Sequence, residues 1–374
     1  MNWKLLLAGL AALLGLSACG PKPPAAGAPA AEEPVLNIYN WSDYIGPNTI
    51  ADFEQATGIK VRYDVFDSNE TLLAKMMAGR TGYDIIVPSA QWAKLMFDGG
   101  LLRKLDKSAL PNLKYLDPGV EGALAQLDPG NQYVVDWLWG YTTVGINVDK
   151  LKAALGDLPL PANAWDLIFK PEYILRAKRC GVSLLDSAGD VIPAALRYLG
   201  RPPFSQDPAD YASAAALLKS IRPAIGRFDS SGYINDLANG SLCLVMGFAG
   251  DINIARRRAI EGGTGARIEA LVPDTGALLF FDVMAIPADA PHPRNALRWI
   301  NYILQPKVDA ELTNKVFYAN PNAAALPYIN PAVAKDPTIF LSHQDLARMV
   351  PNEPITPDLR RLSTRTFTAF KTGY

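Results

Sequence analysis

The sequence predicts an α/β fold, and three observations carry that reading. From Val35 onward, short runs of β-branched and aromatic residues alternate with segments whose apolar residues recur at helical spacing. The strand-like runs end in hydroxyl or carboxylate residues just before a helix begins, which is where ligands bind in open α/β sheets. The chain has 374 residues, 49% hydrophobic and 20% charged, which is ordinary globular composition and long enough for two domains.

The first residues are targeting signal rather than fold. Lys4 supplies one positive charge, 5–16 is apolar, and Leu16-Ser17-Ala18-Cys19-Gly20 places small residues before a cysteine. This end resembles the bacterial lipobox, which implies a signal peptide over 1–18, cleavage before Cys19 and lipid on its thiol. The apolar run is shorter than the ~20 residues of a membrane span. The Pro/Ala-rich stretch that completes 19–34 has no apolar period and reads as a tether. After processing, Cys180 and Cys243 remain. In an exported chain an even pair is a candidate disulfide, with two buried thiols as the alternative.

The domain begins with a strand over 35–39 that stops at Asn40-Trp41-Ser42-Asp43-Tyr44. Asn48-Thr49 offers N-cap chemistry for a helix over 50–57, closed by Gly58. A half-buried strand over 59–65, a helix over 71–78 and a short strand over 83–87 follow, so Ser89 falls at a second strand end. After a helix over 90–97 the chain is turn-rich to Asn131, then 133–148 is the longest aromatic and β-branched stretch. Gly140 and Gly145 interrupt it, and it reads as a bent strand crossing into a second domain. Short helices over 151–156 and 165–173 precede a strand over 180–185, and Asp190 sits near the N-terminus of the next helix, favoured there by the helix dipole. Strands over 227–229 and 241–248 end at Ser230-Ser231 and at Gly250-Asp251. Helices are expected over 211–221, 233–239 and 252–261; Arg256, Arg257 and Arg258 in the last read as a solvated face. Strands over 267–272 and 277–286 come next, with Asp282 inside the apolar second run, where a lone carboxylate is expensive without a partner. A helix over 294–304, a break at 316–321 and further helices complete the chain.

Composition excludes much. The net charge is −1 and no basic stripe argues for nucleic acid. Two histidines leave little material for a His-centred metal site or a catalytic triad. There is no G-x-S-x-G, P-loop, C-x-x-C, HExxH or dinucleotide fingerprint, so neither a catalytic residue nor a cofactor is indicated. Paired carboxylates leave a hydrolase as a minor alternative. Trp41 and Tyr44 can equally be core, with Asp43 a solvated cap. What distinguishes the chain is the company of the acidic strand ends with Trp41, Tyr44, Phe248, Phe280 and Tyr318. Carboxylates gathered in one cleft need a cation, and ring faces suit methylene chains, which together describe a polycationic organic ligand.

The run from Val35 to Lys371 resembles the bacterial periplasmic polyamine-binding proteins, receptors of spermidine/putrescine ABC importers, and their putrescine-binding branch in particular. The segments that carry the resemblance are IYNWSDYI, FEQATGIKVRYDVFDSNE, GYDIIVPSA, TTVGINVDK, AWDLIFKPE, CGVSLLD, YINDLANG, GFAGD, FFDVMAIPADA and VFYANPNAA. The resemblance implies a two-lobed periplasmic-binding-protein fold of type II, each lobe a sheet flanked by helices, closing by a hinge. The lobes would be 35–141 plus 281–325 and 142–280 plus 326–374. Ligand contacts would fall on Trp41, Ser42, Asp43, Tyr44 and Ser89, then Asp190, Ser230, Phe248 and Asp251, then Phe280, Asp282 and Tyr318. The acids would take the ammonium ends and the rings the methylenes. Cys180 and Cys243 match positions that pair in the putrescine branch. Asp190 stands where that branch usually carries Glu and Phe248 where Trp is common, whereas Phe280 agrees with it. The implied ligand is putrescine, with spermidine, cadaverine or agmatine open. The implied protein is a monomer in the periplasm, held to the membrane only by its lipid, with no metal, delivering its ligand to permease subunits. A polyamine sensor, or a binding protein for another small ligand, is the alternative.

Overall fold

The computed structural model describes residues 32–373. The expected signal peptide and Cys19 lie outside them. Among the described residues ten strands form one mixed sheet: β1 Val35–Trp41, β2 Lys60–Phe66, β3 Ile85–Ile86, β4 Val134–Asn147, β5 Val182–Leu184, β6 Arg227–Phe228, β7 Leu244–Phe248, β8 Ile268–Leu271, β9 Leu278–Ala285 and β10 Val350–Pro351. Their order is β2-β1-β3-β9-β4-β7-β5-β6, with β10 beside β9 and β8 beside β4.

The sheet has two parallel blocks. β2, β1 and β3 run parallel in the first, and β7, β5 and β6 in the second. Antiparallel pairs join them. The first part of β4, Val134 to Tyr141, pairs with β9; the part from Thr142 pairs with β7 and β8. A register shift between Asp136 and Leu138 marks the irregularity in that long strand. The bent crossover read from the sequence is therefore one strand serving both halves of the sheet. The chain between β2 and β3, and between β5 and β7, returns through helices, as parallel pairing requires.

Local chemistry sets the element ends. Gly58, at φ 72°, closes the helix Thr49–Thr57 in the left-handed conformation, as expected. Asn48 precedes that helix but makes no side-chain cap, contrary to its expected N-cap chemistry. Ser68 does cap the helix Asn69–Ala78, accepting from the Thr71 backbone N–H. The expected break at 316–321 falls where Phe317 takes φ 58° after the helix Pro306–Val316.

Packing follows the apolar faces. The helix Pro293–Ile303 buries Trp299, Ile300 and Ile303 and sets Trp299 edge-on to Phe53, ring centroids 5.0 Å apart. Full burial of such a side chain contributes roughly 1.5–3 kcal/mol. In the second half, the helices Ala188–Tyr198, Pro208–Ile221 and Pro357–Thr372 pack together, with Phe367 and Phe370 against Phe228 of β6. Cys180 and Cys243 form a disulfide with Cα atoms 5.5 Å apart. It closes a loop of 63 residues, worth about 4 kcal/mol in the chain-entropy account.

Candidate functional site

The two halves of the sheet meet at a cleft of about 690 Å³, part of it open to solvent. Parallel pairing of β1 with β3 brings the segment after Trp41 and the segment after Val87 to one edge. The helices Ala188–Tyr198 and Ala249–Glu261 point their first turns at it, and β9 runs beneath. Trp41, Ser42, Tyr44 and Ser89 line it from the first half, with Asp282, Phe280 and Tyr318. Asp190, Ser230, Phe248 and Asp251 line it from the second.

Asp282, mid-strand in β9 and 5% exposed, has the partner its position demands: the Ser89 hydroxyl donates to it at 2.7 Å. Ser89 is held in turn, its N–H donating to Asn69 Oδ1 and its Oγ accepting from Asn69 Nδ2, both at 3.0 Å. Asp251 is 8% exposed and lies between two phenols. Tyr233 donates to one carboxylate oxygen at 2.8 Å and Tyr318 to the other at 2.5 Å. The Asp251 N–H donates back to the Tyr318 oxygen at 3.2 Å. This close approach explains Gly250, where a Cβ would stand 2.1 Å from the Tyr318 ring. Asp190 accepts from the Thr142 hydroxyl at 3.1 Å. Ser230 accepts from the Asp186 N–H at 3.0 Å.

The rings form a continuous wall. Trp41 is pinned by its indole N–H on the Val87 carbonyl at 2.9 Å. Phe248 meets Phe280 edge-on at 5.4 Å, Phe280 tilts on Tyr318 at 6.2 Å, and Tyr318 meets Tyr44 edge-on at 4.8 Å. The Tyr44 hydroxyl is buried beside the Asp282 carboxylate.

Electrostatically the cavity is one-sided. Glu70, Asp190, Asp251 and Asp282 line it, and among its described lining residues there is no Lys or Arg. Burial pushes Asp282 up to about 7, reinforced by the neighbouring Asp190 and Asp251 charges and opposed by hydrogen bonding. Burial likewise raises Asp251 to about 6, against the two phenol hydrogen bonds. Desolvation raises Asp190, and it takes Glu70 to about 7. These groups gain their full charge cheaply only when a cation enters. No three His, Cys, Asp or Glu converge to hold a metal ion among the described residues. An organic cation with an apolar body matches both the acids and the rings.

Two expectations are corrected. Asp43 does not line the cavity. It takes φ 54°, turns outward and binds Arg258 Nη2 at 2.6 Å, with 39% of its side chain exposed. Arg256, Arg257 and Arg258 are not simply a solvated face. Arg256 pairs with Asp336, Arg257 with Glu261, and Arg258 crosses from the second half to Asp43 in the first. Asp43 therefore faces a cation supplied by the protein, which removes the reason for it to face one supplied by a ligand.

Sequence reasoning missed Tyr233, Asn69, Glu70 and Trp92. Tyr233 and Asn69 act through other residues and carry no local signal. Glu70 follows a cap residue, so it reads as helix-start chemistry. Trp92 lies on the apolar face of the helix Ala90–Asp98 and reads as core.

Residues 48–340 match the family described as bacterial extracellular solute-binding protein. The putrescine-binding periplasmic protein of Escherichia coli (strain K12) is 46% identical over 345 residues, 92% of this chain and 93% of that protein. The protein of the same description from Pseudomonas aeruginosa (strain UCBPP-PA14) is 44% identical over 346 residues, 92% of this chain and 94% of that protein. Among solved structures, the spermidine/putrescine ABC transporter substrate-binding protein of Streptococcus pneumoniae superposes with a TM-score of 0.72 at 26% identity, covering 91% of this chain and 99% of that one. A lipoprotein of Treponema pallidum gives a TM-score of 0.75 at 26% identity, covering 90% of this chain and 99% of that one.

Proposed function

This chain belongs to the bacterial extracellular solute-binding proteins, and on that premise we propose that it is the periplasmic receptor of a polyamine ABC importer, with putrescine its ligand. The observation that carries the reading is the cavity itself: buried carboxylates at Asp251 and Asp282, a further one at Asp190, an aromatic wall, and no basic residue among the described lining. The names of its relatives agree with that chemistry.

In this account the cavity works by substitution of partners. An ammonium group loses its water on entry and donates charge-assisted hydrogen bonds to Asp251 and Asp282, which ionise to receive it. The second ammonium goes to Asp190. The butane chain lies against Trp41, Phe248, Phe280 and Tyr318. Ser89, Tyr233 and Tyr318 fix the carboxylates in place beforehand, so little ordering remains to be done on binding. The lobes are 35–141 plus 281–325 and 142–280 plus 326–374, hinged where β4 and β9 run between the halves. Closure brings Arg258 to Asp43 across the rim, making the pair a fastening of the closed form. The protein acts as a monomer, tethered by lipid at Cys19, and hands its ligand to permease subunits.

Calorimetry on the purified protein, unfolded and refolded to strip retained ligand, tests this. Putrescine, cadaverine, agmatine and spermidine are titrated, with glutamate and maltose as controls. Binding of one putrescine per chain, and no heat from the controls, is expected. A folded protein silent to every amine would overturn the assignment. Spermidine binding at least tenfold tighter than putrescine would overturn putrescine as the preferred ligand.

A further inference from the structure

Two residues that neither half of the molecule explains by itself meet across the cleft. Trp92 is 8% exposed, on the first half's helix Ala90–Asp98. Ala90, Ala93 and Met96 of that helix join an apolar cluster with Leu72, Met76 and Ile86. Trp92 belongs neither to that cluster nor to any other core cluster among the described residues. Its cover is therefore not the core beneath it.

Arg360 belongs to the helix Pro357–Thr372, which packs on the second half's helices Ala188–Tyr198 and Pro208–Ile221. The far end of that helix is anchored there. Arg222 donates to the Lys371 carbonyl at 2.9 Å, and Lys371 pairs with Asp186 at 2.5 Å. Arg360 closes the first turn, where a cation opposes the helix dipole, so helix chemistry gives no reason for it. Its side chain is half-buried, yet among the described residues its guanidinium has no carboxylate within ion-pair distance and makes no hydrogen bond. Burial draws it below the ordinary arginine range, against the charge of Glu70. What it does meet is the Trp92 ring, whose centroid lies 5.5 Å from its Cζ. That is within the reach of a cation–π contact.

The contact stands apart from the ligand. Trp92 lines both the ligand cavity and an adjoining space of about 570 Å³, part of it open to solvent, whereas Arg360 lines only the second. Asp43 and Arg258, which join the halves elsewhere on the rim, line neither. The two contacts fasten separate stretches of the cleft.

We propose that Arg360 and Trp92 form a clasp between the halves, and that Arg360 is a positioning residue that slows ligand release without touching the ligand. The proposal rests on the hinged, polyamine-binding reading above and goes beyond it. Opening draws the helix Pro357–Thr372 away from the helix Ala90–Asp98, so the guanidinium must leave the ring before the ligand can leave the cleft. The contact forms only once the halves have come together, so its loss falls on dissociation rather than on association. Indole is the ring that cations prefer, and removal from water strengthens the contact. A purely electrostatic role would have the opposite sign. Arg360 is a cation near a site for cations, and its removal would then tighten putrescine binding.

The test follows radiolabelled putrescine released into an excess of unlabelled putrescine at pH 8. Arg360→Gln is expected to speed release about fivefold and to leave association within about twofold of wild type. In the Trp92→Leu background the same substitution is expected to change release by less than about twofold, because the ring it acts through is gone. In the Glu70→Gln background its full effect is expected to remain. Arg360→Lys keeps a cation for the ring and is expected to stay within about twofold of wild type; set against Arg360→Gln, it decides the matter if Trp92→Leu fails to fold. Unchanged or slower release from Arg360→Gln, equal gains with and without the Trp92 ring, an effect that needs Glu70, or release from Arg360→Lys as fast as from Arg360→Gln would each overturn the clasp while leaving the binding reading intact. A folded wild type that retains no putrescine would instead defeat the polyamine reading, and the proposal with it.

Discussion

Asp43 and Asp251 stand in similar sequence settings. Each follows a strand end, each has an aromatic neighbour, and each reads as an anchor for an ammonium ion. In the fold they lie in opposite regions. Asp43 is at the rim, 39% exposed at its side chain and paired with Arg258. Asp251 is on the floor, 8% exposed, between two phenol hydroxyls. An exposed carboxylate with a guanidinium beside it is already satisfied by water and by its partner. A buried one held only by neutral donors is not, and it retains an appetite for a cation. The difference teaches that residue type and strand-end position locate a cleft, whereas the distribution of protein cations decides which acids in it are free to bind.

The comparison breaks most simply by removing the charges. Asp251→Asn or Asp282→Asn should each cost roughly 2–5 kcal/mol of putrescine binding, because an ammonium is left desolvated and unpaired. Titration calorimetry reads this directly, and wild-type affinity in both variants would remove the floor from the account.

Proton competition comes next. Asp251 and Asp282, raised to about 6 and about 7, must ionise to bind. Affinity should therefore rise with pH and level off above about 7.5, with a gain on the order of 100-fold between pH 5.5 and 8. Stability of the ligand-free protein should run the other way. These carboxyls hold their protons more tightly folded than unfolded, so their contribution falls as pH climbs from about 4 to about 7. Thermal melts with and without putrescine across that window distinguish the two slopes.

Gly250→Ala should weaken binding about tenfold, worth about 1.4 kcal/mol. Its Cβ would displace the Tyr318 ring and cost Asp251 one of its donors. Phe substituted at Tyr318, which removes the hydroxyl but keeps the ring, should approach the same loss; a far smaller one would show that the ring's position matters and the hydrogen bond does not.

The rim supplies the smallest effect. Asp43→Asn breaks one partly exposed ion pair, worth about 0.2–1 kcal/mol, and should change affinity less than about fivefold. A loss as large as that of Asp251→Asn would erase the distinction between rim and floor.

Much of the fold was readable because its determinants are local. The alternation over β2, the Gly58 stop and the long β4 stretch all follow from neighbours in the chain. Asp282 was conspicuous because a carboxylate inside an apolar strand is costly without a partner, and the structure supplies Ser89. What sequence could not reveal was pairing across the cleft. Arg258 is far from Asp43 along the chain, and a basic run on a helix gives no sign of which arginine turns inward to an acid. Tyr233 was invisible for the same reason, since it reaches Asp251 only once two elements have packed together. Glu70 was hidden differently, in a position where helix-start chemistry already explains an acidic residue.

A crystal structure of the protein with putrescine tests the central claim most directly. The account predicts one ammonium within hydrogen-bond distance of Asp251 or Asp282 and the other near Asp190, with Asp43 still on Arg258. A ligand nitrogen seated on Asp43, with Arg258 turned away and the floor carboxylates unengaged, would contradict it.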